Sequence, residues 1–142
     1  MNHSPIKIGI IGCGNVTHLY TGTFARLPNL EVVACADLNQ EAAERLAGKL
    51  NIPKVLSPQK LLADPDVEIV LNLTTPGAHA DIALQALKKG KHVYNEKPLA
   101  LTRKDGRKIL EAARKAGRLV GCAPDTFLGA GMQTCKKLIA DG

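Results

Sequence analysis

The chain has 142 residues. It reads as an α/β protein, a doubly wound parallel sheet of six strands in the order 3-2-1-4-5-6 with helices on both faces. Three observations predict the α/β class and the parallel sheet covered on both faces. Short runs rich in β-branched residues alternate with helix-like segments from end to end, as chained βαβ units do. Those runs are almost continuously apolar, as strands covered on both faces are. The first run also opens directly into a glycine-rich turn.

Ile6-Lys7-Ile8-Gly9-Ile10-Ile11 is the first strand, and a helix over residues 15–27 follows until Pro28-Asn29 stops it. Leu30 to Ala36 is the second strand. Asn39 then offers an N-cap for the segment QEAAERLAGKL, whose Ala42, Ala43, Leu46 and Leu50 share a face. Lys54-Val55-Leu56 is a brief third strand, and Ser57-Pro58 places a cap and then a first-turn proline on a short helix reaching Ala63. Val67 to Leu73 is the fourth strand. The helix over 77–89 turns Ile82, Ala83, Ala86 and Leu87 inward and ends at Gly90. His92 to Asn95 is the fifth strand. Thr102 and Asp105 resemble a capping box for a helix that ends at Gly117, with Ile109, Ala112, Ala113 and Ala116 inward. Leu119 to Cys122 is the sixth strand, and residues 127–140 form a last helix. With no strand after that helix, the sequence reads as one domain, residues 1–142, cut from a longer protein.

Composition narrows the function classes. An apolar fraction of 45% excludes a disordered chain, and no apolar run is long enough to span a membrane. The N-terminus has no basic segment followed by an apolar one, so no secretory signal is expected. A cytoplasmic location follows, with Cys13, Cys35, Cys122 and Cys135 as free thiols, Cys35 and Cys122 in the core. The net charge of +6 is uneven: residues 86–142 carry 13 Lys/Arg against 5 Asp/Glu. Most of that excess falls on the outer face of the helix after Thr102, where solvent explains it. With two Phe, two Tyr and no Trp, a stacking platform for nucleic acid is not expected.

Three clusters carry candidate chemistry. Gly12-Cys13-Gly14-Asn15-Val16-Thr17 joins a strand to a helix: Gly12 permits the turn, Gly14 lets the backbone approach a pyrophosphate, and the helix start offers N–H groups. Thr17 stands where the motif usually has a third glycine. Asp37, 20 residues after Thr17, ends the second strand, where a carboxylate accepts the adenosine ribose hydroxyls. It would repel a 2′-phosphate, and neighbouring Leu38 and Asn39 bring no cation, so the expected cofactor is NAD in preference to NADP. Thr74-Thr75-Pro76-Gly77-Ala78-His79 follows the fourth strand, at the edge where open α/β sheets bind ligands, and is also a plausible helix start. Asn95-Glu96-Lys97-Pro98 follows the fifth. There Lys97 can hydrogen-bond a hydroxyl or polarise a carbonyl.

Together these residues resemble the Gfo/Idh/MocA family of NAD(P)-dependent oxidoreductases. The resemblance is carried by IGIIGCGNV at 8–16, Asp37, the segment from Leu73 to Ala100 that runs into Glu96-Lys97-Pro98, and the strand at 119–122. It covers the family's N-terminal dinucleotide-binding domain, a Rossmann fold. It implies that Gly12, Gly14, Asn15, Val16 and Thr17 take the pyrophosphate and that Asp37 and Leu38 lie at the adenosine end. Thr74, Thr75, Pro76 and His79 line the groove, Glu96 and Lys97 lie by the nicotinamide with Lys97 catalytic, and Asp125 lies near the nicotinamide or substrate. Asn95 replaces the family's usual Cys or Gly, an expected tolerated variation. The implied parent moves hydride between nicotinamide and a sugar, inositol or related compound and forms a homo-oligomer. Its substrate domain is absent from this sequence, so the chain alone is expected to bind cofactor without turnover. A non-catalytic NAD(P)-binding module, a methyltransferase-like domain and a nucleic-acid binder are the competing classes. Neither nucleic acid nor membrane is an expected partner.

Overall fold

The computed structural model describes residues 4–24, 26–124 and 126–142. In chain order the elements are β1 (Ile6–Ile11), α1 (Thr17–Phe24), β2 (Leu30–Ala36), α2 (Gln40–Leu50), β3 (Lys54–Leu56), α3 (Pro58–Ala63), β4 (Ile69–Asn72), α4 (His79–Lys88), β5 (His92–Asn95), α5 (Arg103–Ala116), β6 (Val120–Cys122) and α6 (Ala130–Asp141). The six strands form one parallel sheet in the order β3-β2-β1-β4-β5-β6, as the sequence predicts.

Alternation along the strands supplies both faces. Ile8, Ile10, Cys35 and Leu71 pack with Ala43, Leu46 and Ala47 of α2 and with Tyr20 and Phe24 of α1. Ile11, Val70 and Val93 point the other way, against Leu61 of α3, Ala83, Ala86 and Leu87 of α4, and Ile109 and Ala113 of α5. Crossover helices cover one face and the β1–β3 half of the other, which is why those strands lack polar–apolar alternation. On the α1 side, the β4–β6 half of the sheet is left as an open apolar groove lined by residues including Phe24, Leu71, Tyr94 and Val120. No residue of α6 is buried.

The predicted caps form. The Asn39 side chain accepts from the Ala42 amide at 3.2 Å, Ser57 from Lys60 at 3.3 Å and Thr102 from Asp105 at 3.1 Å. Gly117 closes α5 at a φ of 62°.

Several boundaries move. Of the helix expected over 15–27, Thr17–Phe24 forms α1, residues 15–16 and 26–27 are not helical, and Ala25 lies outside the described residues. The segment expected to be helical from residue 77 begins as a 3₁₀ turn, Pro76–Ala78, with no side-chain cap from Thr75, and α4 proper starts at His79. The expected fourth strand, Val67–Leu73, pairs only from Ile69 to Asn72. A 3₁₀ turn, Thr126–Leu128, precedes α6. Ala116 is exposed and Cys122 half-buried, against the expectation of core positions, because both sit where the layers end: Cys122 lies on an edge strand. All four cysteines are free. Among the described residues no helix is long and apolar enough to cross a membrane.

Candidate functional site

The three clusters and Asp37 follow β1, β2, β4 and β5, strands that adjoin in the sheet, so they meet at one carboxyl edge. The chain leaves β1 toward α1 on one face and β4 toward α4 on the other. A crevice therefore opens between these two strands, the place where open α/β sheets take ligands.

Gly12 has a φ of +96°, a conformation that L side chains rarely adopt. A Cβ there would lie 2.5–2.6 Å from the Leu73 carbonyl group and the Thr74 nitrogen. The tight turn and its approach to the end of β4 both require glycine. Gly14 is different: a Cβ there would meet nothing within 4 Å. The N–H groups of Gly14, Asn15 and Val16 have no hydrogen-bond partner among the described residues, and all three residues are exposed. Unpaired donors at the start of α1 facing open space form a cradle suited to a phosphate anion. Thr17 is buried, with its hydroxyl 3.4 Å from the Gly12 carbonyl oxygen, so it pins the helix to the turn.

Asp37 is half-buried beside this turn. Its Oδ2 accepts from the Cys13 amide at 2.7 Å and its Oδ1 from the Asn39 amide at 2.8 Å. Each oxygen retains a lone pair for a further donor. Leu38 beside it is exposed. The neighbouring Cys35 thiol, burial and the nearby Asp37 carboxylate hold the Cys13 thiol above the ordinary thiol range. It therefore stays neutral and adds no negative charge to the loop.

Thr75 and Pro76 are exposed and Thr74 is half-buried. His79 is fully buried, below the loop surface. Its Nδ1 lies 2.6 Å from the Pro98 carbonyl oxygen and its Nε2 3.0 Å from that of Thr74. Glu96 accepts from the Tyr20 hydroxyl at 2.7 Å and from the Lys97 amide at 2.8 Å, which ties the turn after β5 to α1. The Lys97 side chain is exposed, and no ion pair engages it among the described residues. Asp125 lies outside the described residues. Among the described residues no cluster of His, Cys, Asp and Glu could hold a metal.

Sequence reasoning missed Asn72 and Tyr20, and it read Asn95 as a neutral variation. Asn72 and Asn95 are fully buried under the loops they precede. One signal was available for Asn72, a polar residue ending an otherwise apolar strand. Tyr20 had no local signal, because its partner Glu96 is 76 positions away.

Residues 6–123 match the family described as an oxidoreductase family with an NAD-binding Rossmann fold. The chain is 34% identical over 135 residues to 1,5-anhydro-D-fructose reductase from Ensifer adhaerens, covering 94% of this chain and 40% of the relative. It aligns with biliverdin reductase from Synechocystis sp. PCC 6803, solved with biliverdin and NADP+, at a TM-score of 0.89 and 29% identity over 96% of this chain and 43% of the other. It aligns with the WlbA dehydrogenase from Bordetella pertussis, solved with NADH and UDP-GlcNAcA, at a TM-score of 0.88 and 27% identity over 97% of this chain and 42% of the other. The chain spans 34–40% of the length of the first curated relatives that it matches. With the glycine turn, the strand order and the segment into Glu96-Lys97-Pro98 in place, this chain belongs to the Gfo/Idh/MocA family of oxidoreductases, as its NAD-binding Rossmann domain.

Proposed function

We propose that the chain binds a nicotinamide dinucleotide, NAD in preference to NADP, as the cofactor half of an oxidoreductase acting on a sugar, an inositol or a related hydroxy or keto compound. A second, substrate-binding half is needed for turnover. The observation that carries the reading is the pairing of an open cradle of free N–H groups at Gly14–Val16 with the Asp37 carboxylate beside it. Diphosphate and ribose diol are the chemistry that such a pair accepts.

In this reading Gly12, Gly14, Asn15, Val16 and Thr17 hold the pyrophosphate, the first and last by shaping the loop. Asp37 takes the ribose hydroxyls, with Leu38 against the adenosine. Thr74, Thr75 and Pro76 form the opposite wall, which His79 supports from below. Glu96 orients the turn that presents Lys97. Asp125 belongs to the nicotinamide end. The nicotinamide, when bound, supplies or accepts the hydride. The Lys97 ammonium donates to the substrate oxygen and favours the negative charge that develops there. The relatives named above include a sugar reductase and a dehydrogenase solved with a nucleotide sugar, which supports this substrate class.

Preference for NAD rests on charge. A 2′-phosphate would meet the Asp37 carboxylate, and Leu38 and Asn39 offer it no cation. The test is calorimetric titration of the purified chain with NADH and with NADPH, repeated with Asp37→Ala. Wild type should bind NADH more tightly. Losing hydrogen bonds to a charged acceptor costs about 1.5–3 kcal/mol, so the variant should bind NADH roughly 10–100-fold more weakly. Tighter binding of NADPH by wild type, or unchanged NADH affinity in the variant, would refute the assignment of Asp37.

A further inference from the structure

The carboxyl ends of β4 and β5 carry a buried polar network beneath the loops. Asn72 and Asn95 are register partners on neighbouring strands, and both are fully buried, as is His79. Asn72 Nδ2 donates to Asn95 Oδ1 at 3.0 Å and to the His79 carbonyl oxygen at 3.1 Å. Asn72 Oδ1 accepts from the Thr74 hydroxyl at 2.7 Å and the Thr74 amide at 3.4 Å. Asn95 Nδ2 donates to the Leu99 carbonyl oxygen at 3.1 Å and that of His79 at 3.4 Å. The His79 ring stands between the carbonyl oxygens of Thr74 and Pro98. Whichever ring nitrogen carries the proton donates to one of them.

Both carboxamides thus have all their donors engaged. Three side chains join three backbone segments: the loop after β4 at Thr74, the first turn of α4 at His79, and the turn after β5 at Pro98–Leu99. The two Asn side chains and the ring are confined to the interior. An apolar residue at 95 would fill the same space and leave the Leu99 carbonyl and the Asn72 amide with fewer partners. A buried polar network whose carboxamide donors are all engaged restrains geometry in a way that apolar packing does not.

We infer that Asn72, Asn95 and His79 are positioning residues that set the spacing between the Thr74–Pro76 loop and the Glu96–Lys97 turn, and through it the affinity for the nicotinamide half of the cofactor. The inference rests on the dinucleotide reading above. The adenosine half is held elsewhere, by the glycine turn and Asp37, whose partners are the Cys13 and Asn39 amides. The network does not touch those groups, so the two halves of the ligand should respond differently.

The experiment titrates wild type, Asn72→Ala, Asn95→Ala and the double variant with NADH and with ADP-ribose, which lacks the nicotinamide. Each single variant should bind NADH about tenfold more weakly and ADP-ribose within about twofold of wild type, and the double variant should be little worse than either single, as residues in one network behave. Equal losses for both ligands, or no loss for NADH, would overturn the inference. A second measurement needs no ligand and uses the milder Asn95→Ser. Amide hydrogen exchange should quicken both at Glu96 and Lys97 and at Thr74, while the Cys13 amide is unchanged. Acceleration confined to Glu96 and Lys97 would show that the network does not couple the loops. If wild type bound neither ligand, the cofactor reading would fall and the affinity claim with it, while exchange would still decide whether the network joins the two loops.

Discussion

Gly12 and Gly14 lie two residues apart in one turn and should respond to the same substitution in opposite ways. Alanine at Gly12 would keep a φ near +96°, which costs a non-glycine residue roughly 1–3 kcal/mol. Its Cβ would also lie 2.5–2.6 Å from backbone atoms of Leu73 and Thr74, which cannot retreat as a flexible side chain could. Overpacking of that kind costs about 1–3 kcal/mol. The two effects together give about 2–6 kcal/mol, and at roughly 3–4 °C per kcal/mol for a domain of this size the melting temperature should fall by about 6–24 °C. At Gly14 the backbone lies outside the left-handed region and a Cβ meets nothing within 4 Å. Gly14→Ala should therefore melt at or slightly above wild type, since a glycine replaced in a compatible conformation gains about 0.4–1 kcal/mol through the unfolded chain. Its cost should appear only with ligand. A methyl group where the backbone must approach a pyrophosphate should weaken NADH binding by about tenfold or more. Thermal melting by circular dichroism, with calorimetric titration of NADH, measures both effects. If Gly14→Ala melts as low as Gly12→Ala, or binds NADH as wild type does, the cradle reasoning is wrong.

Two further outcomes follow from parts of the fold remote from the crevice. Lys54 reaches Asp64 at 2.9 Å and Asp66 at 2.6 Å, and its ammonium holds both carboxyls below their ordinary value of 3.8, with the Asp66 amide adding to the effect on Asp64. Carboxyls depressed in the folded state contribute stability that is present above pH 3.8 and lost as pH falls through their folded values. Lys54→Met should therefore raise the acid-unfolding midpoint toward that value, and an unmoved midpoint in a circular-dichroism pH titration would count against the triad. Ile109 is fully buried against α4, so Ile109→Ala should lower stability by about 2–5 kcal/mol in urea unfolding. NADH affinity at a temperature where the variant is folded should not change, because Ile109 is an apolar core residue that offers the crevice no polar group.

What could be read from the sequence was local. The run of β-branched residues before Gly12, the caps at Asn39, Ser57 and Thr102, and the stop at Gly117 each depend on residues within one turn of one another. The alternation of strands and helices then limits the topology, since crossovers between parallel strands are right-handed and short. The order of the strands, and with it the crevice between β1 and β4, is what the resemblance to the family implies. The position of Asp37 was legible because it sits at the end of a strand whose boundaries the sequence marks.

Tertiary structure alone decided how the loops are held. His79 reads in the sequence as one of several residues lining a groove, yet the fold buries it between two carbonyl groups. Asn95 reads as a neutral variation, yet register places it beside Asn72, 23 positions away, and engages the carboxamide donors of both. Tyr20 has nothing local to mark it, and its hydroxyl reaches Glu96. Nothing local in the sequence marks Lys91. It is buried, its ammonium is bound to the carbonyl oxygens of Asp64 and Val67, and burial pushes its pKa down. Local patterns depend on dihedral preferences and on a repeat of 2 or 3.6 residues, and these are present in the chain before it folds. The partner of a buried polar atom depends on which strand ends lie side by side, and that exists only once the sheet has formed.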